Sequence, residues 1–371
     1  MACVWVEGFE QPGYTTAMYL ADNVLAGSTG GFMLNPVTDP AQIVQPLASP
    51  DGNGSRALRV GSAANINWRV NFQPTVTQGI LSFICSNPFL QSMLFNGQRW
   101  LRIFSSTGGN IIDLIGASSA TSTTGYTCNM RLFVGTTEVS TISMDLSGTP
   151  RFSIAYETSG TAVTRVTIYR NEEEVHTWTG SIVLPSVTAV AFGGGAASIN
   201  TGSGWVIDSI TLWDDPDPAG PDVPMAIRPH WVFGRTVSLP ASPTQGDWAS
   251  FLDATSPSGD IAVQVAAAQS DRGALTVTAD AELELAGFSP FPAGVDGDVY
   301  GVALYVRGQG SASLVTMEAY IKSGAVDGVP VQESLASGGV VRKTYALDPD
   351  GNVPWTLSSA EASTIGIQAK V

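Results

Sequence analysis

Two histidines, three cysteines and thirty-two acidic residues are what the chain offers for acid-base, nucleophilic or metal chemistry. His176 follows three glutamates in a strand-like run, and His230 follows Pro229. Neither stands in a GxSxG or Cys-His setting that would make it the base of a hydrolytic triad, so both read as ordinary surface or partly buried histidines. Asp280, Glu282 and Glu284 would project from one face of a strand, and paired carboxylates are the equipment of a glycosidase. Yet Leu275, Val277, Ala279, Ala281, Leu283 and Leu285 alternate without a break against Thr276, Thr278 and those three acids. A period of two accounts for the acids as the solvent side of an amphipathic strand. With no group of the right identity and spacing, no catalytic residue is assigned and a non-enzyme is expected.

Oxygen-rich loops are the next candidates. Asp51, Asn53 and Ser55 in DGNGS, and Asp348, Asp350 and Asn352 in DPDGN, follow the alternating spacing that begins a calcium loop. Both lack the glutamate at the twelfth position and both fall where a hairpin turn is expected, so the turn reading is preferred and calcium is kept as the one candidate cofactor. Asp214, Asp215, Asp217 and Asp222 are read as a solvated linker. Asp208 differs, because period two places it with Val206, Ile210 and Leu212. A carboxylate among apolar side chains needs hydrogen-bond donors, and backbone amides of a neighbouring N-terminal strand are the expected ones. Cys3, Cys85 and Cys128 are far apart with no CxxC, which argues against structural zinc and a disulfide framework. Exposed aromatics can stack on sugar rings; of Trp5, Trp68, Trp100, Trp178, Trp205, Trp213, Trp231, Trp248 and Trp355, most are expected in cores or subunit contacts.

The elements that must position these residues are strands. In the first part of the chain, short β-rich runs recur at 66–72, 79–85, 100–104, 138–144, 151–157, 164–170, 175–178 and 205–213, separated by Gly, Asn and Ser. Asn96-Gly97 reads as a hairpin turn, and a second turn at Asn171 and Glu172 joins strands that end at Tyr169 and begin near Val175. Further strands are predicted at 299–308, 314–323, 340–347 and 364–371, with a single helical turn at 358–363. Between the two regions lies DDPDPAGPDVP, residues 214–224, with four Pro and four Asp. Repeated proline removes ladder donors and stiffens the chain. The expected organisation is all-β: a jelly-roll domain over 1–214, a Pro/Asp-rich linker over 215–224, and a second β-sandwich over 225–371.

Composition narrows the partners. Only 13% of residues are charged, against about a quarter in an average chain, and the net charge is −15 with three lysines, Lys322, Lys343 and Lys370. Nucleic-acid binding gains its affinity from Lys and Arg replacing counterions, so it is not expected, nor is attraction to anionic membranes. MACVWVEGFE has no basic n-region and no stretch approaches 18 uninterrupted apolar residues. Neither a signal peptide nor a membrane insertion is expected, and synthesis in a reducing cytoplasm is.

VEGFE (6–10), GSRALRV (54–60), INWRVNF (66–72) and WVIDSITLWD (205–214) resemble the concanavalin A-like, laminin-G-type jelly roll of tailed-bacteriophage structural proteins. In that pattern the first and last strands pair, with an aspartate near the domain end. The second part resembles the C-terminal β domain that follows such modules in phage virion proteins, through the IRP stretch at 227–229, WASFLDATSPSGD (248–260), VYGVALYVRG (299–308) and DPDGNVPWTLSSAEASTIGIQAKV (348–371). The resemblance implies a non-enzymatic structural protein of a virion, a surface appendage such as a head fibre, decoration or tail-associated protein, with other virion proteins as partners. It further implies a homo-oligomer, a trimer by the habit of such appendages. Loops at the end of a sandwich can vary without disturbing its core, so 1–214 is expected to contact host glycans or the host surface and 225–371 to hold the oligomer or pack on a neighbour. A free carbohydrate-binding lectin module and an envelope glycan hydrolase are the alternative classes.

Overall fold

A computed structural model describes residues 2–7, 32–34, 44–45, 57–60, 67–86, 99–105, 110–117, 127–183, 187–193, 205–216, 227, 281–285, 291, 294, 297–308, 316–334 and 339–370. The chain divides into two compact units, the first of Met1–Glu10 and Phe32–Val232 and the second of Gln11–Gly31 and Phe233–Val371. Both are built from antiparallel strands, so the all-β expectation holds.

The first unit contains β1 (Cys3–Glu7), β2 (Phe32–Leu34), β3 (Val44–Gln45), β4 (Ala57–Val60), β5 (Asn67–Val76), β6 (Gly79–Ser86), β7 (Arg99–Ser105), β8 (Asn110–Gly116), β9 (Thr127–Val134), β10 (Thr137–Asp145), β11 (Arg151–Ser159), β12 (Ala162–Arg170), β13 (Glu173–Val183), β14 (Val187–Gly193) and β15 (Trp205–Trp213). An eight-stranded sheet runs β13-β12-β11-β6-β15-β4-β3, with β1 also on β15; a seven-stranded sheet runs β10-β9-β8-β7-β14-β5-β2. The first and last strands pair, Trp5 opposite Leu212 and Val6 opposite Thr211. Asp214 fastens the end of that pair: its Oδ1 accepts the Ala2 amide at 2.6 Å, and its own amide donates to the Ala2 carbonyl at 3.1 Å.

The two sheets share an apolar interior. Trp100 from β7 meets Phe152 edge-on at 4.9 Å between centroids and Phe83 at 5.5 Å, and all three are fully buried. Such an aromatic trio contributes both a large buried area and an orientation preference. In β9 and β10 buried residues (Met130, Leu132, Val134, Ile142, Met144) alternate with more exposed ones, the signature of a sheet with one wet face. Asp113 of β8 is buried, and its Oδ2 accepts Arg102 Nε at 3.0 Å and Nη2 at 2.7 Å.

The eight-stranded sheet is different. Gly79–Cys85 of β6, Arg151–Tyr156 of β11 and Ile207–Trp213 of β15 are buried continuously. The second face carries Ser82, Ser153, Thr167 and Thr211, each 3% exposed or less. Their hydroxyls are satisfied within the sheet: Ser82 and Ser153 are 2.9 Å apart, and Thr177 donates to Thr167 at 3.1 Å.

Here one sequence expectation is corrected. Period two does not run through β15, because Ser209 takes a left-handed φ of 47° and the register against β6 shifts between Asp208 and Thr211. At this bulge β15 changes neighbours, from β4 at Trp205–Ile207 to β1 at Ile210–Trp213. The extra residue resets which side chains share a face.

The second unit holds β16 (Ala281–Leu285), β17 (Val302–Gly308), β18 (Thr316–Ser323), β19 (Val326–Asp327), β20 (Val331–Ser334), β21 (Gly339–Tyr345), helix α1 (Leu357–Ala362) and β22 (Thr364–Lys370). One sheet runs β16-β22-β18-β19, with β20 also on β18; β17 and β21 form a separate pair. Their facing residues make one core: Leu304, Val341 and Tyr345 from the pair, Met317, Ala319, Ile321 and Ile367 from the sheet, with Trp355 and Ala360 closing it. α1 is held by a capping box, in which Ser359 N donates to Thr356 Oγ1 at 3.0 Å and Thr356 N to Ser359 Oγ at 3.1 Å.

Candidate binding surface

The hairpin β12–β13 presents the most ligand-like group of side chains. Its turn is Asn171–Glu172, both with positive φ (49° and 72°), the backbone twist that suits a two-residue hairpin. Asn171 also ties the turn to β11: its Oδ1 accepts the Arg151 amide and its amide donates to the Arg151 carbonyl, each at 2.9 Å. The turn sets Arg170 opposite Glu173 and Tyr169 opposite Glu174, and a register shift between Ile168 and Tyr169 then places His176 opposite Ile168 and Trp178 opposite Val166.

Across β11 those rows continue to Ile154 and Tyr156, on the face of Phe152. His176 and Trp178 therefore lie at the rim of the interior, on the strand that ends the sheet among the described residues. Trp178 is half-buried, and its ring lies across Gly180, where a Cβ would collide with it. The other tryptophans with described side chains (Trp5, Trp100, Trp213, Trp355) are all 3% exposed or less. Trp213 Nε1 donates to Thr211 Oγ1 at 3.0 Å and Trp355 Nε1 to the Tyr345 carbonyl at 2.9 Å. Beside Trp178, His176 Nε2 is shielded from solvent and has no hydrogen-bond partner among the described residues, and the same holds for the Tyr156 hydroxyl deeper in the interior. Burial pushes the Tyr156 hydroxyl pKa well up, so it stays a neutral donor and acceptor.

Asp348, Asp350 and Asn352 come together as a turn. Asp348 is buried, its Oδ1 accepts the Asp350 amide at 3.0 Å, and its amide donates to the Val353 carbonyl at 2.8 Å. Gly351 and Asn352 take the left-handed conformations that such a turn requires (φ 86° and 53°). Asp51, Asn53 and Ser55 lie outside the described residues, as do Asp217, Asp222, His230 and Asp280. Glu282 lies in β16. Glu284 Oε2 accepts Lys322 Nζ at 3.1 Å and its Oε1 accepts Thr364 Oγ1 at 3.2 Å, a cross-strand ion pair of a sheet face. Asp208 is fully buried, and its Oδ1 takes the Ser209 amide at 2.6 Å, a donor supplied by the bulge of its own strand. Among the described residues, no three His, Cys, Asp or Glu side chains gather as a metal site. Cys3 is a buried thiol whose pKa burial pushes up to about 12, which makes it a poor nucleophile.

The Trp178 platform could be traced in the sequence only as an alternation, His176-Thr177-Trp178-Thr179-Gly180. What distinguishes this tryptophan from Trp5, Trp100, Trp213 and Trp355 is its position on the last strand of the sheet, which local pattern does not encode.

No protein-family model matches the chain, and no curated protein matches it. Among solved structures it is similar to the botulinum neurotoxin serotype D binding domain, with 11% identity over 52% of this chain and 45% of that chain and a TM-score of 0.35. It is also similar to the binding domain of Paraclostridial Mosquitocidal Protein 1, with 14% identity over 50% of this chain and 44% of that chain and a TM-score of 0.34. The match thus spans less than half the length of either solved chain.

Proposed function

We propose that the protein is a non-enzymatic binding and structural component of a phage virion, a surface appendage whose first unit contacts host glycans and whose second unit holds a homo-oligomer. The observation that carries the glycan contact is Trp178, the one half-open indole among the tryptophans with described side chains, its ring packed across Gly180. An indole plane offers apolar area to the C–H face of a sugar ring. The motif resemblance at 6–10, 54–60, 66–72, 205–214 and 348–371 supports the virion setting, with other virion proteins as partners.

The test is calorimetric titration of the full chain with soluble host polysaccharide and lipopolysaccharide. Binding that weakens about tenfold in Trp178→Ala, a loss of about 1.4 kcal/mol, is the expected result. Unaltered affinity in that variant would overturn the site, and release of new sugar ends during incubation would overturn the non-enzymatic assignment. Labelling the protein in particle images, with none found on the virion surface, would remove the appendage role.

A further inference from the structure

Large apolar side chains are seldom exposed in this chain. Among the described residues they are Val183 in the first unit and Val326, Val329, Leu347 and Val353 in the second, at 39%, 71%, 40% and 49% exposure for the last four. Those four occupy two segments, 324–330 after β18 and 346–354 after β21, and the segments are locked together. Gly328 N donates to the Ile321 carbonyl at 2.7 Å, and a Cβ on Gly328 would lie 2.6 Å from Tyr345 Cε1 and 3.2 Å from Pro349 Cγ. The Val329 carbonyl accepts both Lys343 Nζ at 2.7 Å and the Tyr345 hydroxyl at 2.9 Å. The Asp348–Val353 bridge closes the other segment. The result is a preorganised apolar tip, and preorganisation lowers the cost of ordering a surface on association.

Lys343 sits 4.9 Å from the Tyr345 ring and makes no ion pair among the described residues, while Asp327 and Asp350 are exposed and likewise make none. Partial burial lowers the Lys343 pKa. One cation and two anions around an apolar centre form a self-complementary set.

We propose that this tip is a contact between copies of the chain, with Val326, Val329, Leu347 and Val353 as its apolar centre and Lys343 of one copy facing Asp327 or Asp350 of the next. It rests on the reading above that the second unit holds the oligomer, and it names the residues that do so. Apolar centres with polar rims are the usual anatomy of such interfaces, and repetition by rotation closes them into rings.

Light scattering and sedimentation of the full chain decide it. The wild-type chain is expected to be oligomeric, and Val329→Asp and Val353→Asp are each expected to weaken assembly at least about tenfold while circular dichroism stays unchanged. Lys343→Glu should weaken it too, with assembly restored by adding Asp327→Lys or Asp350→Lys. Leu347→Ser, a milder change, replaces any variant that fails to fold. A wild-type chain that is monomeric at high concentration overturns the oligomer and the tip together. An oligomer whose mass is unmoved by Val329→Asp, Val353→Asp and Lys343→Glu overturns the tip alone.

Discussion

In the seven-stranded sheet, β9 and β10 bury Met130, Leu132, Val134, Ile142 and Met144 and leave Thr127, Asn129, Thr141 and Ser143 exposed, whereas β6, β11 and β15 of the facing sheet bury both of their sides. The polar residues look alike in sequence: Ser143 and Ser153 both follow an apolar neighbour in an alternating run. One is wet and the other is 1% exposed and grouped with Ser82. Small hydroxyl side chains suit both situations, because they fit a tight second face and can satisfy each other's hydrogen bonds. Alternation therefore identifies a strand reliably but names its solvent side only when the sheet has one.

The widest separation between the two sheets is expected from matched charge insertions. Ser153→Asp buries a carboxylate with only Arg151, whose Nη1 donates to the neighbouring Ser82 Oγ at 3.4 Å, within reach, and should cost about 3–4 kcal/mol, while Ser143→Asp should stay within about 0.5 kcal/mol; denaturant unfolding of both variants measures the contrast. Equal effects would remove the distinction between the sheets. Phe152→Ala removes a ring that the two sheets share through Trp100, with an expected loss of about 3–4 kcal/mol. Near-UV dichroism and fluorescence should then shift together to the same lower midpoint, since the interior is common to both.

Asn171→Ala should cost about 1–2 kcal/mol, from forcing a Cβ-bearing residue without a side-chain acceptor into left-handed backbone and losing the Arg151 bond. Asn171→Gly should recover part of that loss, because glycine adopts the same φ freely. The smallest effect concerns the one point where a carboxylate at the end of β10 meets the other sheet. The Ser147 amide, then the Ser147 hydroxyl and Arg170, hold the Asp145 pKa below its ordinary value against a desolvation effect of opposite sign. A folded-state pKa below the unfolded one means stability that is present above about pH 4 and is lost as pH falls through the lower folded value. Asp145→Asn should flatten the stability profile over that acidic range and leave it parallel to wild type at neutral pH.

How legible the fold was depended on the strand. WVIDSITLW (205–213) appears as a strand with those same limits, and RFSIAYE and TRVTIYR appear as β11 and β12 joined to their neighbours as expected. The Asn171–Glu172 turn was readable because an Asn between two β-branched runs tolerates the required φ. β8, β9 and β14 were not singled out, although Met130, Leu132 and Val134 alternate; a mean apolar run with Arg131 and Phe133 between gives a weaker contrast than the Leu275–Leu285 pattern. The candidate site was less legible. Trp178 stood among nine tryptophans with nothing local to mark it, and the apolar tip is assembled from segments some twenty residues apart that meet through Gly328, Val329, Tyr345 and Pro349.

Composition, alternation and turn chemistry by themselves determined that this is an all-β chain with antiparallel hairpins, because those signals arise from each residue's own φ preference and from its two neighbours. Tertiary structure alone decided the bulge at Ser209, the double burial of the eight-stranded sheet and the openness of Trp178. Each of these depends on which strand lies alongside and which edge is left without a partner, and that is a property of pairings between residues distant in the chain.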